Sequence, residues 1–243
     1  MKQINESVLQ ILSRVTVEGN VIYLTCGQLD RRQYLDVNKI LELMGGKWNR
    51  KQKGHIFNED PTDKLEAVLL TGEITEPTKY GYFPTPKNIV LRMVELAEIE
   101  SGMSILEPSA GQGAIADCLP KDCQIDCIEL LPDNANILQK KGYLVQQCDF
   151  LSVEPQPLYD RIIMNPPFEK QQDIDHVQHA LKCLKDGGVL VSVMSSGVVF
   201  RENRKTVEFR GLVDELGFIE RNPEGSFKES RTMVNTVIVV LRS

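Results

Sequence analysis

Asn165-Pro166-Pro167-Phe168 follows the apolar run Arg161–Met164 and sets a side-chain amide beside two prolines. Consecutive prolines cannot continue a central strand, because each lacks a backbone donor and fixes its own φ. The chain must leave its sheet stiffly at Asn165, which holds the amide at the sheet's edge. Such a corner suits methylation of an aromatic amine. The lone pair of adenine's exocyclic amine is delocalised into the ring; the Asn165 amide oxygen and the Pro166 carbonyl can take both amine hydrogens and favour a pyramidal nitrogen. A methyl group that arrives with its own leaving group needs no strong base, so orientation and fixed dipoles carry the chemistry. Phe168 would stack on the base, which must be flipped out of a duplex or presented single-stranded. A rigid turn with Phe168 in the core is the plainer alternative.

Upstream, Ser104 to Ala116 reads as a strand, a tight glycine turn and a helix start, with Gly111 and Gly113 allowing a ligand close to the backbone. GQGAIA also satisfies a dinucleotide pattern, and charge separates the two readings. Glu107, four residues before Gly111, would repel a pyrophosphate but suits the sulfonium and ammonium of S-adenosylmethionine. Glu129 ends the next strand, where it can accept hydrogen bonds from both ribose hydroxyls. Asp149 closes the third strand, placed to read an adenine amine while Phe150 or Leu130 packs on the ring. Ligands of open α/β sheets bind at such strand ends.

On these residues the chain resembles the class I S-adenosylmethionine-dependent methyltransferases, and within them the N6-adenine DNA methyltransferases of the gamma motif order, over about residues 79 to 241. The resemblance implies that Tyr82, Phe83 and Thr85 contact the methionine end of the cofactor. Glu107, Pro108, Ser109, Ala110, Gly111 and Gly113 would form its turn, Glu129 would hold the ribose, and Leu130, Asp149 and Phe150 the adenine. Asn165, Pro166, Pro167 and Phe168 would be the catalytic corner, Asn165 also bordering the cofactor, and Phe227 in GSFKES the aromatic that packs the flipped base. The implied activity is adenine-N6 methylation of DNA, with a restriction enzyme or a target-recognition partner as companion. The same chemistry would serve RNA or a protein glutamine, although glutamine-modifying relatives usually carry tyrosine at the position of Phe168. A nucleic-acid-binding module without turnover is the alternative of another class, and intact Glu107, Glu129, Asp149 and Asn165 argue against it.

Gamma-order enzymes usually carry a target-recognition region after the catalytic domain, whereas Ser243 here directly follows the last expected strand. Target reading is then expected from two basic regions lining one cleft. The first holds Lys47, Trp48, Arg50, Lys51 and Lys53, cations beside an aromatic. The second holds Arg201, Arg204, Lys205 and Arg210, then Lys228 and Arg231 near Phe227.

The elements that must position these groups follow from periodicity. Short aliphatic runs alternate with amphipathic helices from Thr78 onward, which predicts a doubly wound, seven-stranded Rossmann-like α/β sheet over residues 79–243. The strands are expected at Met103–Leu106, Gln124–Ile128, Tyr143–Gln146, Arg161–Met164, Val189–Met194, Gly217–Arg221 and Asn235–Leu241. Residues 1–78 read as a small α+β module of three helices and one or two strands, the third helix capped by Asp60 with Pro61 at its first position.

With 243 residues, 42% of them hydrophobic, the chain can bury a full core and a smaller second one, and its net charge of −6 excludes coating nucleic acid by bulk charge. The absence of a long apolar run or secretory leader points to a cytoplasmic protein without a membrane partner. Six cysteines without a CxxC pair read as buried or free thiols, and His176 and His179, three apart with no third ligand, as a surface or packed pair rather than a metal site. Oligomeric state is not encoded in any pattern here.

Overall fold

The computed structural model describes residues 4–25, 27, 29–58, 60–72, 84–223, 226–227 and 234–243. Seven strands, β5 (Ser104–Glu107), β6 (Gln124–Glu129), β7 (Leu144–Gln147), β8 (Tyr159–Met164), β9 (Leu184–Ser195), β10 (Gly217–Arg221) and β11 (Thr236–Arg242), form one sheet in the order β10-β11-β9-β8-β5-β6-β7. All seven fall where the hydrophobic alternation predicts them. The five from β9 to β7 are parallel, while β11 runs antiparallel to β9 and β10 to β11. Burial follows position: Ile105, Leu106, Ile162, Ile163, Met164 and Val191 are fully enclosed, as central parallel strands covered on both faces require.

The covering helices are α4 (Lys87–Leu96), α5 (Pro132–Lys140), α6 (Gln172–Leu181), the single turn α7 (Gly197–Phe200) and α8 (Arg204–Leu216). Inward residues recur at helical spacing, Ile174, Val177 and Ala180 in α6 and Thr206, Phe209 and Val213 in α8. Asn203 caps α8 by accepting from Thr206 N.

Chain order reverses beside β5. From β5 the chain moves outward through β6 to β7, then returns to β8 on the other flank of β5. A crevice at the carboxyl ends of β5, β6 and β8 follows from this topology.

One expected element does not develop. After the glycine turn the chain makes only a 3-10 turn at Ala116–Cys118 before Leu119-Pro120, not an α-helix. No helix dipole is therefore aimed from this turn at a pyrophosphate, which the dinucleotide reading requires.

The N-terminal residues form α1 (Glu6–Leu12), β1 (Thr16–Glu18), β2 (Val21–Tyr23), α2 (Arg31–Leu43), β3 (Lys47–Asn49), β4 (Gly54–Ile56) and α3 (Thr62–Thr71). The three helices match expectation, but four strands stand where one or two were expected, in an antiparallel sheet of order β1-β2-β4-β3. The basic stretch is thus the β3–β4 hairpin. Gly46 is required at its root, since a Cβ there would lie 2.6 Å from the Phe57 ring. Pro61 precedes α3 by one residue, and Asp60 accepts from Thr62 N at 2.9 Å. The expected domain limit at residue 78 lies outside the described residues.

The module is fastened to the large sheet by buried polar contacts. The guanidinium of Arg201 pairs with Glu66 (2.6 Å) and Asp63 (3.1 Å) of α3, and Ser195 Oγ at the end of β9 donates to Glu66. Asn235 Nδ2 donates to the Ser13 carbonyl at 2.5 Å, and Val234 packs into the module's core.

Candidate active site

The crevice holds a cavity of about 390 Å³ lined by residues from four strand ends and from neighbouring helices and loops. Glu107, Pro108, Ser109, Ala110 and Gly111 come from the β5 turn, Glu129, Leu130 and Leu131 from β6, and Cys148, Asp149, Phe150 and Leu151 from β7. Asn165 to Lys170 come from β8, with Thr85, Phe227, Leu70 of α3 and His176 of α6 completing the wall.

Glu107 is 1% exposed, and its carboxylate accepts from Ala116 N at 2.9 Å. Burial raises its pKa well above the ordinary carboxylate value, opposed by that backbone bond and reinforced by Asp117 and Glu129. A cation placed against it would restore the charged form. Both oxygens of Glu129 accept backbone hydrogens at 2.7 Å, from Gly111 N and Leu131 N, so the carboxylate is locked between the glycine turn and its own strand end. Each oxygen retains lone-pair capacity for a ribose hydroxyl. Asp149 lies two residues beyond β7 rather than closing it, and accepts from Leu151 N at 3.0 Å. Gly111 (φ +54°) and Gly113 (φ +88°) are left-handed, a conformation that favours glycine. Gly113 is not in the wall; its N–H closes the turn onto the Ala110 carbonyl at 2.8 Å.

Asn165 Nδ2 donates to Thr85 Oγ1 at 3.0 Å. This orients the amide and links the Asn-Pro-Pro corner to the segment ahead of α4. Pro166 is buried and Phe168 half-buried, packed against the cores of both the module and the large sheet while lining the cavity. Beyond it Lys170 (φ +52°) and Gln171 (φ +59°) are consecutive left-handed non-glycine residues, a strained pair. α8 holds them: Lys205 Nζ donates to the Gln171 carbonyl at 2.9 Å and Thr206 Oγ1 to its side chain at 3.0 Å.

His176 is among the wall residues that the sequence did not mark as site residues, with Leu70, Cys148, Glu169, Lys170 and Gln172. It is 7% exposed, its ring centre lies 5.7 Å from that of Phe150, and its Nδ1 is buried with no hydrogen-bond partner among the described residues. Burial pushes its pKa down to about 4, so the ring is neutral at physiological pH. A helix-face pattern marked it as packed; the open cavity beside it had no signal. His179 instead bonds the Val153 carbonyl through Nε2 at 2.9 Å.

The basic residues part company with the cavity. Lys47, Trp48, Arg50, Lys51 and Lys53 lie in or beside the β3–β4 hairpin and line none of it. Arg201, expected to face a substrate, is 5% exposed and spent on Glu66 and Asp63. Arg204 is on the surface in an i,i+4 pair with Glu208. Among the described lining residues Lys170 is the single cation, so the described members of the two basic regions do not line one cleft with the Asn-Pro-Pro corner. Tyr82, Phe83, Lys228 and Arg231 lie outside the described residues.

The wall fits S-adenosylmethionine. It offers three carboxylates at the ends of successive strands for a cation, a diol and an amine, the Phe150 and Leu130 faces for a purine, and an unpartnered imidazole nitrogen behind Phe150. It lacks the helix N-terminus that a pyrophosphate needs.

The fold is that of the class I S-adenosylmethionine-dependent methyltransferases. A crystal structure of the type I restriction-modification system methyltransferase subunit from Streptococcus thermophilus superposes with a TM-score of 0.58 at 21% identity, covering 76% of this chain and 48% of that one. In sequence, the type II methyltransferase M.HincII of Haemophilus influenzae is 32% identical over 114 residues, 45% of this chain and 21% of the relative. The release factor glutamine methyltransferase of Koribacter versatilis is 27% identical over 109 residues, 41% of this chain and 39% of that protein. The chain thus spans between a fifth and two fifths of the length of these curated relatives. No family model matches. Among the described residues no helix is long and apolar enough to cross a membrane.

Proposed function

We propose that this chain transfers a methyl group from S-adenosylmethionine to the N6 amine of adenine in DNA. The observation that carries the reading is the corner after β8: Asn165, oriented by Thr85, stands at the strand end next to Glu107, with Pro166 and Phe168 in the same wall.

When bound, the cofactor supplies an electrophilic methyl on a sulfonium. Glu107 offsets positive charge, Glu129 takes the ribose, and Asp149, Phe150 and Leu130 enclose the purine. Asn165 Oδ1 and the Pro166 carbonyl accept the two amine hydrogens, which localises the nitrogen lone pair and aims it. Phe168 and Phe227 enclose the base, and the packed cores behind both rings keep water out. The proton is lost after transfer, so no group in the wall acts as a strong base beforehand.

Similarity to M.HincII supports a DNA substrate, and similarity to the glutamine methyltransferase supports the second reading, a protein side-chain amide. Phenylalanine at 168 and the cation-rich hairpin favour the polyanion. Incubation with methyl-labelled cofactor and either DNA, RNA or a release-factor-like protein discriminates them: label in DNA is expected, and label in protein alone overturns the DNA reading.

A further inference from the structure

A second cavity, of about 440 Å³, lies in the N-terminal module and is walled by Leu24, Leu29, Arg31, Tyr34, Trp48 and Lys53. Trp48 is 45% exposed and held upright by two edge contacts, Tyr34 at 6.4 Å and His55 at 5.2 Å between ring centres. His55 beneath it is fully buried, and Asn38 Oδ1 fixes its Nε2 at 2.8 Å, so the indole rests on a rigid floor. Asn49 Oδ1 accepts from Lys51 N (2.9 Å) and Gln52 N (3.1 Å) and shapes the hairpin tip.

The cations around this ring are unspent. Arg31, Lys47, Arg50, Lys51 and Lys53 make no ion pair with a described residue, whereas Arg92, Lys141, Lys185, Arg201, Arg204, Lys205, Arg210 and Arg242 each do. In a chain of net charge −6, residues 47–53 hold four cations and no acid. An exposed aromatic face with free cations on its rim is the pairing that binds single-stranded nucleic acid, where the ring stacks an unpaired base and the cations hold phosphates.

We infer that the Tyr34–Trp48 pocket binds a nucleotide with an unpaired base, giving the chain a single-strand DNA site separate from the catalytic cavity. A base still paired in a duplex presents only its edges, and the indole face cannot stack on it. The inference deepens the DNA reading above and rests on it for the identity of the polymer.

Trp48 is the chain's only tryptophan, so its emission reports on the site directly. The full chain is titrated with oligo-dT, with a duplex of equal length and with polyphosphate. Oligo-dT is expected to quench the emission with an affinity that falls as salt rises, the duplex to bind about tenfold more weakly without quenching, and polyphosphate to leave the emission unchanged. Unchanged emission with oligo-dT, equal duplex affinity, or equal quenching by polyphosphate overturns the inference. By anisotropy of labelled oligo-dT, Trp48→Phe should bind within a few-fold of wild type and Trp48→Ala about tenfold more weakly at unchanged melting temperature. Wild-type binding by Trp48→Ala also overturns it. Oligo-dT lacks adenine, so the two readings are assayed on different DNAs: quenching by oligo-dT with no methylation of adenine-containing DNA sinks only the catalytic reading, and methylation of that DNA with no quenching by oligo-dT sinks only this one.

Discussion

The strand-end cavity and the hairpin pocket are built on opposite electrostatic terms. Around the cavity, acids are buried and tied to backbone N–H groups: Glu107 to Ala116, Glu129 to Gly111 and Leu131. Around the hairpin, cations are exposed and tied to nothing among the described residues, and the one large ring stands open. Buried, oriented acceptors keep their geometry at any salt concentration, whereas exposed cations act through a screened field. On the proposed reading one region holds a small cation in a fixed pose and the other a polyanion loosely.

That contrast breaks first at Asn165. Asn165→Ala should lower single-turnover methyl transfer about a thousandfold while cofactor affinity, read by calorimetry, and oligo-dT affinity stay within a few-fold. Normal transfer by this variant would remove the amide from the chemistry. Next comes the joint between the regions. Arg201→Met leaves Glu66 buried without its partner and should cost about 3 kcal/mol in denaturant unfolding. A change below about 0.5 kcal/mol, within the range of an ordinary surface substitution, would mean that the module is not fastened there.

A smaller effect sharpens the comparison from the cofactor side. Glu129→Gln removes the charge and, because its Nε2 donates and cannot accept, breaks one of the two backbone hydrogen bonds; it should weaken cofactor binding about tenfold and leave oligo-dT binding untouched. Equal losses for both ligands would show that the regions are coupled.

The smallest effect lies in pH. Burial depresses the folded-state pKa of His176 from 6.5 to about 4, so between those values the unfolded chain binds more protons. The stability contribution is therefore present above pH 6.5 and lost as pH falls toward 4. Asp173, raised to about 7 mainly by burial, acts oppositely: its contribution is present below its unfolded value of 3.8 and lost as pH rises through 7. His176→Phe should flatten the acid side of the melting-temperature profile by a few degrees relative to wild type. An unchanged slope between pH 6.5 and 4.5 would place the imidazole in water.

What the sequence disclosed and what it hid divide along the same line. The seven strands were legible because central parallel strands must be apolar on both faces, and runs such as Arg161–Met164 and Val189–Met194 have no other use. The stiff corner after β8 was legible because two prolines admit few backbones. The hairpin strands β3 and β4 have three residues each, too few to show a period, so only one or two strands were expected in the module. Arg201 looked like a surface cation because its partners lie 135 or more positions away in α3. His176 looked like a core residue because periodicity reports which face of α6 turns inward, not whether that interior is filled. The helix expected after Gly113 failed because Pro120 follows too soon for more than a 3-10 turn.

The central claim is tested most directly by digesting DNA to nucleosides after incubation with the wild-type chain and methyl-labelled cofactor, beside the Asn165→Ala variant. Label in N6-methyladenine with the wild type, and its loss with the variant, is the expected result. Label on another atom, or equal label from both proteins, would contradict the account.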